Sequence, residues 1–133
     1  MFQAGYLYRQ KHHQIQLTMA VLFFALDQDI KAASKTVFKA LNSFAAVEGD
    51  SSNVLNNVYT QTCVLGLRIK LEANSYDYEE QYNYMVSVTQ DFLADNQVDE
   101  PAEEALADAV AFLLKKNLAI EVAREKEDEL VIV

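Results

Sequence analysis

What most limits the folds open to this chain is its shortage of turn formers: three glycines and one proline in 133 residues. A sheet of many short strands needs a reversal about every 8–12 residues, and glycine and proline are the usual means of making one. With so few of either, the chain is expected to spend its length in helices, whose backbone groups are satisfied locally without a change of direction. Hydrophobic residues make up 51% of the chain, which supports a core rather than disorder, and the length suits one domain spanning 1–133.

The fold class expected is therefore mainly α: a single-domain helical bundle of about five helices over residues 1–117, closed by a short C-terminal β-hairpin at 118–133. The first helix starts near Phe2 or after His12-His13 and runs to about Leu26. Its second half, Leu17 to Leu26, is apolar nearly all round, as in a central core helix. That run is too short for a bilayer, which takes about 20 residues, and Asp27-Gln28-Asp29 is not a small-residue cleavage site. No membrane segment or leader is expected.

In a second helix, 28–46, Ile30, Ala33, Val37, Leu41 and Phe44 share one stripe, and Lys31, Lys35 and Lys39 share another face. Gly49 ends that unit, and Ser51, Ser52 or Asn53 caps a third helix running to about Leu71. Ala73-Asn74-Ser75 is a second break. The fourth helix, 76–94, carries Asp77, Glu79 and Glu80 in its first turns, where the positive dipole end favours them. After a break at 95–99, Pro101 opens a fifth helix running to about Asn117. From Leu118 to Ala123 the apolar period falls to two, Arg124 to Glu129 form a charged connection, and Leu130-Val131-Ile132-Val133 reads as a strand.

A helix followed by strand, turn and strand resembles the end of a winged-helix domain, with 101–117 as the helix and the remainder as the wing. The charges oppose DNA reading by that element. Its helix begins with Glu100, Glu103, Glu104 and Asp108, and its only cations, Lys115 and Lys116, lie at the far end. A wing of that composition docks more readily on protein.

Catalytic patterns are missing. Adjacent side chains on a helix point about 100° apart, so His12 and His13 suit solvent better than a shared metal. No paired histidine or cysteine spacing, Gly-x-Ser-x-Gly turn or Gly-rich phosphate loop occurs. Cys63, the single cysteine, sits among Val58, Val64, Leu65 and Leu67 and reads as a buried small apolar residue. The expectation is a non-enzymatic chain with no cofactor and no metal, in a reducing, cytoplasmic setting.

Charge points towards partners. Residues 1–71 hold seven Lys/Arg against four Asp/Glu, a net of +3, whereas 72–133 hold four against sixteen, a net of −12. Tyr76, Tyr78, Tyr82 and Tyr84 are interleaved with Glu79 and Glu80, and in a helix Tyr78 and Tyr82 share a face. Tyrosine suits partner surfaces because its ring adds apolar area while its hydroxyl stays wet. The favoured reading is a small acidic adaptor, regulator or inhibitor, a secretion chaperone, antitoxin-like inhibitor or DNA mimic among its forms. It would meet a basic patch on a protein partner through Tyr76, Tyr78, Tyr82, Tyr84, Glu79, Glu80, Glu103 and Glu104. A homodimer is the secondary expectation. The alternative is a winged-helix transcriptional regulator binding nucleic acid through Lys31, Lys35, Lys39, Arg68 and Lys70.

Overall fold

A computed structural model describes residues 19–91 and 100–133. It overturns the helical bundle: among these residues, seven strands form one antiparallel sheet with two α-helices against it. In chain order they are β1 (Met19–Phe24), α1 (Ile30–Ala40), β2 (Val47–Asp50), β3 (Val58–Val64), β4 (Leu67–Ala73), β5 (Tyr84–Gln90), α2 (Glu100–Leu118), β6 (Ala123–Lys126) and β7 (Glu129–Ile132). The strands lie in the order β2-β3-β4-β5-β1-β6-β7. The front of the expected first helix, His12-His13 and the break at 95–99 lie outside the described residues.

The failure of the all-α expectation has a specific cause. This chain turns on asparagine and aspartate as well as glycine. Asn42, Asn56, Asn57 and Asp128 have φ of 58°, 65°, 60° and 66°, the left-handed region that short amide and carboxylate side chains tolerate. The β3–β4 hairpin reverses in two residues, Leu65 and Gly66, with φ of 58° and 78°. Two successive left-handed residues match the twist of the flanking strands.

The third expected helix is thus β3, this turn and β4. In β4, Leu67, Ile69, Leu71 and Ala73 are all buried while Arg68, Lys70 and Glu72 between them are not, a clean period of two. The fourth helix becomes a loop followed by β5, whose first five residues are buried. The apolar run in the first helix becomes β1, central in the sheet and buried on both faces. A short run apolar all round suits either a core helix or a central strand, and here neighbouring strands decide.

The winged-helix reading also falls. The final helix is followed by a hairpin, but β6 pairs with β1 and extends the large sheet. Arg124 to Lys126, expected in the connection, belong to β6, and only Glu127 and Asp128 make the turn.

Both helices cover one face. α1 lies over β3 and β4, and α2 over β1 and β5. Leu22, Phe24, Ile69, Leu71, Tyr84 and Val86 from the strands pack there with Val37 and Phe38 of α1 and Val110 and Leu114 of α2. Each large side chain fully withdrawn from water contributes about 1.5–3 kcal/mol. Asp29 caps α1 by accepting from the Ala32 N–H at 2.9 Å. Left-handed Asn42 ends it, with the Ser43 N–H returning to the Phe38 carbonyl at 2.9 Å. Asn117 of α2 donates to the Ala40 carbonyl at 2.7 Å, tying the helix ends together.

Cys63 is exposed rather than buried. It lies opposite Arg68 on the face without helices. Partial desolvation and a hydrogen bond that the thiol donates to Asp91 raise its pKa, against a smaller opposing effect of Arg68, so the thiolate is disfavoured.

Leu65 is 80% exposed at a left-handed φ, a conformation costing a branched side chain about 1 kcal/mol. Leu65→Asn should therefore stabilise the fold by about that amount in urea unfolding, and Leu65→Val should destabilise it. An unchanged or lower midpoint for Leu65→Asn would contradict this account of the turn.

Candidate partner-binding site

The tyrosines come together on the open face, around β1. Leu22 and Phe24 of that strand point to the helices, so Phe23 between them points the other way, where it is wholly buried. What covers it is the β4–β5 loop. Buried Asn74 shapes that loop: its side-chain amide donates to the carbonyls of Asp77 and Tyr82 at 2.9 Å each, and its oxygen accepts from the Tyr76 N–H at 2.9 Å. Tyr78 takes a left-handed φ of 67°, and the N–H of Tyr82 returns to its carbonyl at 2.9 Å. The loop is so folded that three rings reach Phe23. Tyr76 stacks at 6.4 Å, Tyr78 meets it edge-on at 5.5 Å and 76°, and Tyr82 tilts at 6.4 Å. Edge-to-face pairs of this kind contribute about 0.5–1.5 kcal/mol beyond area burial.

Two of the hydroxyls then tie the loop to the C-terminal strands. The Tyr82 hydroxyl donates to Glu121 at 2.5 Å, and that of Tyr78 to Glu125 at 3.2 Å. Glu79 and Glu80 are exposed at the loop's tip. With Tyr76, Asp77, Tyr78 and Gln81 they line a shallow depression of about 390 Å³. Burial and then the negative charge of Glu125 and Asp77 raise the Tyr76 pKa well above the phenol range. Burial comes first for Tyr78 as well, followed by Glu125, Asp77 and Asp128. Both phenols stay neutral in a field of carboxylates. The surface can offer negative charge and aromatic edges and faces to a cationic group.

Not every expected site residue is here. Tyr84 lies on the helix side of the sheet, stacked on Phe24 at 6.3 Å, with its hydroxyl donating to the Gln28 carbonyl. In β5 its neighbour in the alternation, Met85, is the one that faces Phe23. Tyr82 is 6% exposed and braces the loop from within. Glu103 is buried at 2% in the first turn of α2.

Glu104 belongs to a pair that sequence reasoning missed. Arg124 of β6 lies opposite Leu22 and so turns inward beneath α2, only 2% exposed. It donates to Glu104 at 2.7 Å and Asp108 at 3.1 Å, which leave their other sides in water. The signal was available. Leu118, Ile120 and Val122 form an inward alternation, and Arg124 is its next member. Its charge alone suggested a solvent loop.

The five cations of the nucleic-acid alternative are divided by the sheet. Lys31, Lys35 and Lys39 sit exposed on the outer side of α1. Arg68 and Lys70 alternate with the buried residues of β4 and so occupy the opposite face. There Arg68 pairs with Asp91 at 3.7 Å, and Lys70 pairs with Glu72 at 3.4 Å and covers the Tyr59 ring at 4.7 Å. Among the described residues no three His, Cys, Asp or Glu converge to hold a metal ion, and no helix is long and apolar enough to cross a membrane.

Comparison with protein-family models, with curated proteins and with solved structures found no match.

Two measurements check this geometry. Removing both carboxylates, Glu104→Gln with Asp108→Asn, strands a buried guanidinium and should cost about 3 kcal/mol in urea unfolding, whereas Arg124→Met, which leaves only water-accessible carboxylates, should cost about 1 kcal/mol or less. Equal losses would contradict the buried pairing. The Glu121 hydrogen bond, then burial, lift the Tyr82 pKa from 10.0 to about 12. The folded state thus holds that proton more tightly, and its stabilisation is complete below about pH 10 and lost as pH rises towards 12. Tyr82→Phe should be less stable at pH 8 and lose less between pH 10 and 12 than the parent. Parallel stability curves would sink the assignment.

Proposed function

We propose that the chain is a non-enzymatic protein-interaction module that binds a basic surface of a partner protein through the open-face tyrosine loop and the β6–β7 hairpin. The observation that carries this reading is the Tyr78–Glu125 hydrogen bond. It joins two acidic segments 47 residues apart in sequence into one surface. Asp77, Glu79 and Glu80 come from the loop, and Glu125, Glu127 and Asp128 from the hairpin, against Lys126 as the hairpin's exposed cation, Arg124 being buried.

The division of labour follows from burial. Tyr82 and Phe23 are spent on holding the surface together. Tyr76 and Tyr78 remain half-buried at its edge, which makes them the anchors a partner can finish covering. Exposed carboxylates steer encounter and set orientation more than they add affinity, and their reach is about 10 Å at 0.1 M salt. Glu103 and Glu104 are outside this surface because α2 and Arg124 already engage that edge of the helix layer.

A tagged chain recovered from its host at about 0.1 M and about 0.5 M salt should retain a basic protein, with the yield falling as screening rises. Glu79→Lys with Glu80→Lys should reduce that capture about tenfold or more. Tyr78→Ala should reduce what survives the high-salt wash. Capture indifferent to all three substitutions would refute the reading.

A further inference from the structure

The face bearing α1 carries the opposite kind of surface. Lys31, Lys35 and Lys39 follow one another at four-residue spacing on its exposed side. None has an ion-pair partner among the described residues. They line a groove of about 570 Å³ with Phe38 and Phe44, bounded by Glu48 of β2. Phe44 is 92% exposed. Its position is fixed rather than incidental: left-handed Asn42 and the Ser43-to-Phe38 hydrogen bond turn the chain off the helix just before it. A phenylalanine held in water beside three uncompensated lysines is a surface complementary to an acidic, aromatic one.

We infer that this groove receives the tyrosine loop and hairpin of a second copy of the chain, so that the protein associates head to tail. The inference rests on the proposed function and names a partner for the same acidic surface. Contact within one chain is barred by the architecture. The groove lies on the helix-covered face at the β2–β3 side, and the acidic surface lies on the other face, around β1, β6 and β7. Two-fold pairing is opposed by charge. Groove against groove would bring six lysines together, and acidic surface against acidic surface would repel as strongly. Only groove against acidic surface is attractive, and that contact uses different patches on each copy, so it propagates or closes into a ring.

The test uses Lys35→Glu with Lys39→Glu and, separately, Glu79→Lys with Glu80→Lys, all at exposed positions. Mass is followed by light scattering after size exclusion across rising concentration, at about 50 mM and about 0.5 M salt. The parent should exceed its 15.0 kDa monomer mass at low salt and return to it at high salt. Each variant alone should remain at 15.0 kDa. Their design makes the mixture decisive: the lysine variant keeps its acidic surface and the glutamate variant keeps its groove. An equimolar mixture should regain association at low salt, because the intact acidic surface of one variant meets the intact groove of the other, and the two reversed patches, acidic at 35 and 39 and basic at 79 and 80, are again opposite in charge. A parent that is monomeric at low salt overturns the inference, as does a parent that associates while either variant still does so alone. Capture of a heterologous basic protein by the lysine variant is read separately, so failure of self-association leaves the functional reading standing or falling on its own result.

Discussion

Burial of β1 on both faces is the constraint around which the molecule is arranged. Its side chains alternate between Leu22 and Phe24 on one side and Val21 and Phe23 on the other, and both sets are apolar. One helix layer satisfies the first set. Nothing in the regular structure satisfies the second, and the β4–β5 loop does so with tyrosines. Tyrosine can cover a phenylalanine while leaving a hydroxyl at the boundary with water, and those hydroxyls find Glu121 and Glu125. The acidic surface is thus a by-product of closing the core on the open side. The same strand fixes Arg124, since pairing opposite Leu22 turns that side chain inward beneath α2.

How much of this was legible in the sequence depends on which signal was weighed. α1 falls inside the expected second helix, and α2 begins where Pro101 and the acidic first turn place it. The alternation in Leu67 to Ala73 was equally plain. The helical expectation passes over it, because the chain's few glycines argue against sheets. That inference treats glycine as the only residue able to enter the left-handed region, and Asn42, Asn56, Asn57 and Asp128 show otherwise. Once three turns are credited to short polar side chains, the shortage disappears.

The site was legible in composition and illegible in arrangement. Tyrosines beside glutamates marked the surface, and Lys31, Lys35 and Lys39 do share a face. A period of two, applied to Tyr82 and Tyr84 in place of a helical period, would still not have separated them across the sheet. Tyr82 precedes β5 in an irregular loop whose course is set by Asn74 and by a left-handed Tyr78. Side-chain hydrogen bonds to backbone carbonyls decide that course, and they leave no periodic trace. Arg124 shows the converse case. Its periodicity was informative, but its charge hid it.

The strand order carries a consequence for how the chain comes to be folded. β3, β4 and β5 are successive neighbours and can form a meander from local contacts. β1 cannot join them until late: Phe24 pairs with Tyr84, 60 residues on, and Phe23 with Ala123, 100 residues on. The most apolar segment of the sheet is therefore synthesised long before either strand that flanks it. Until the second half emerges, it is an unpaired hydrophobic strand, the kind of species that aggregates or recruits chaperones. Non-local pairing of this kind also slows folding, since the chain between must be closed before any contact rewards it. The net charge of −12 on the half that arrives last acts only once that half has emerged, when it keeps neighbouring chains apart as β5 and β6 close on the central strand.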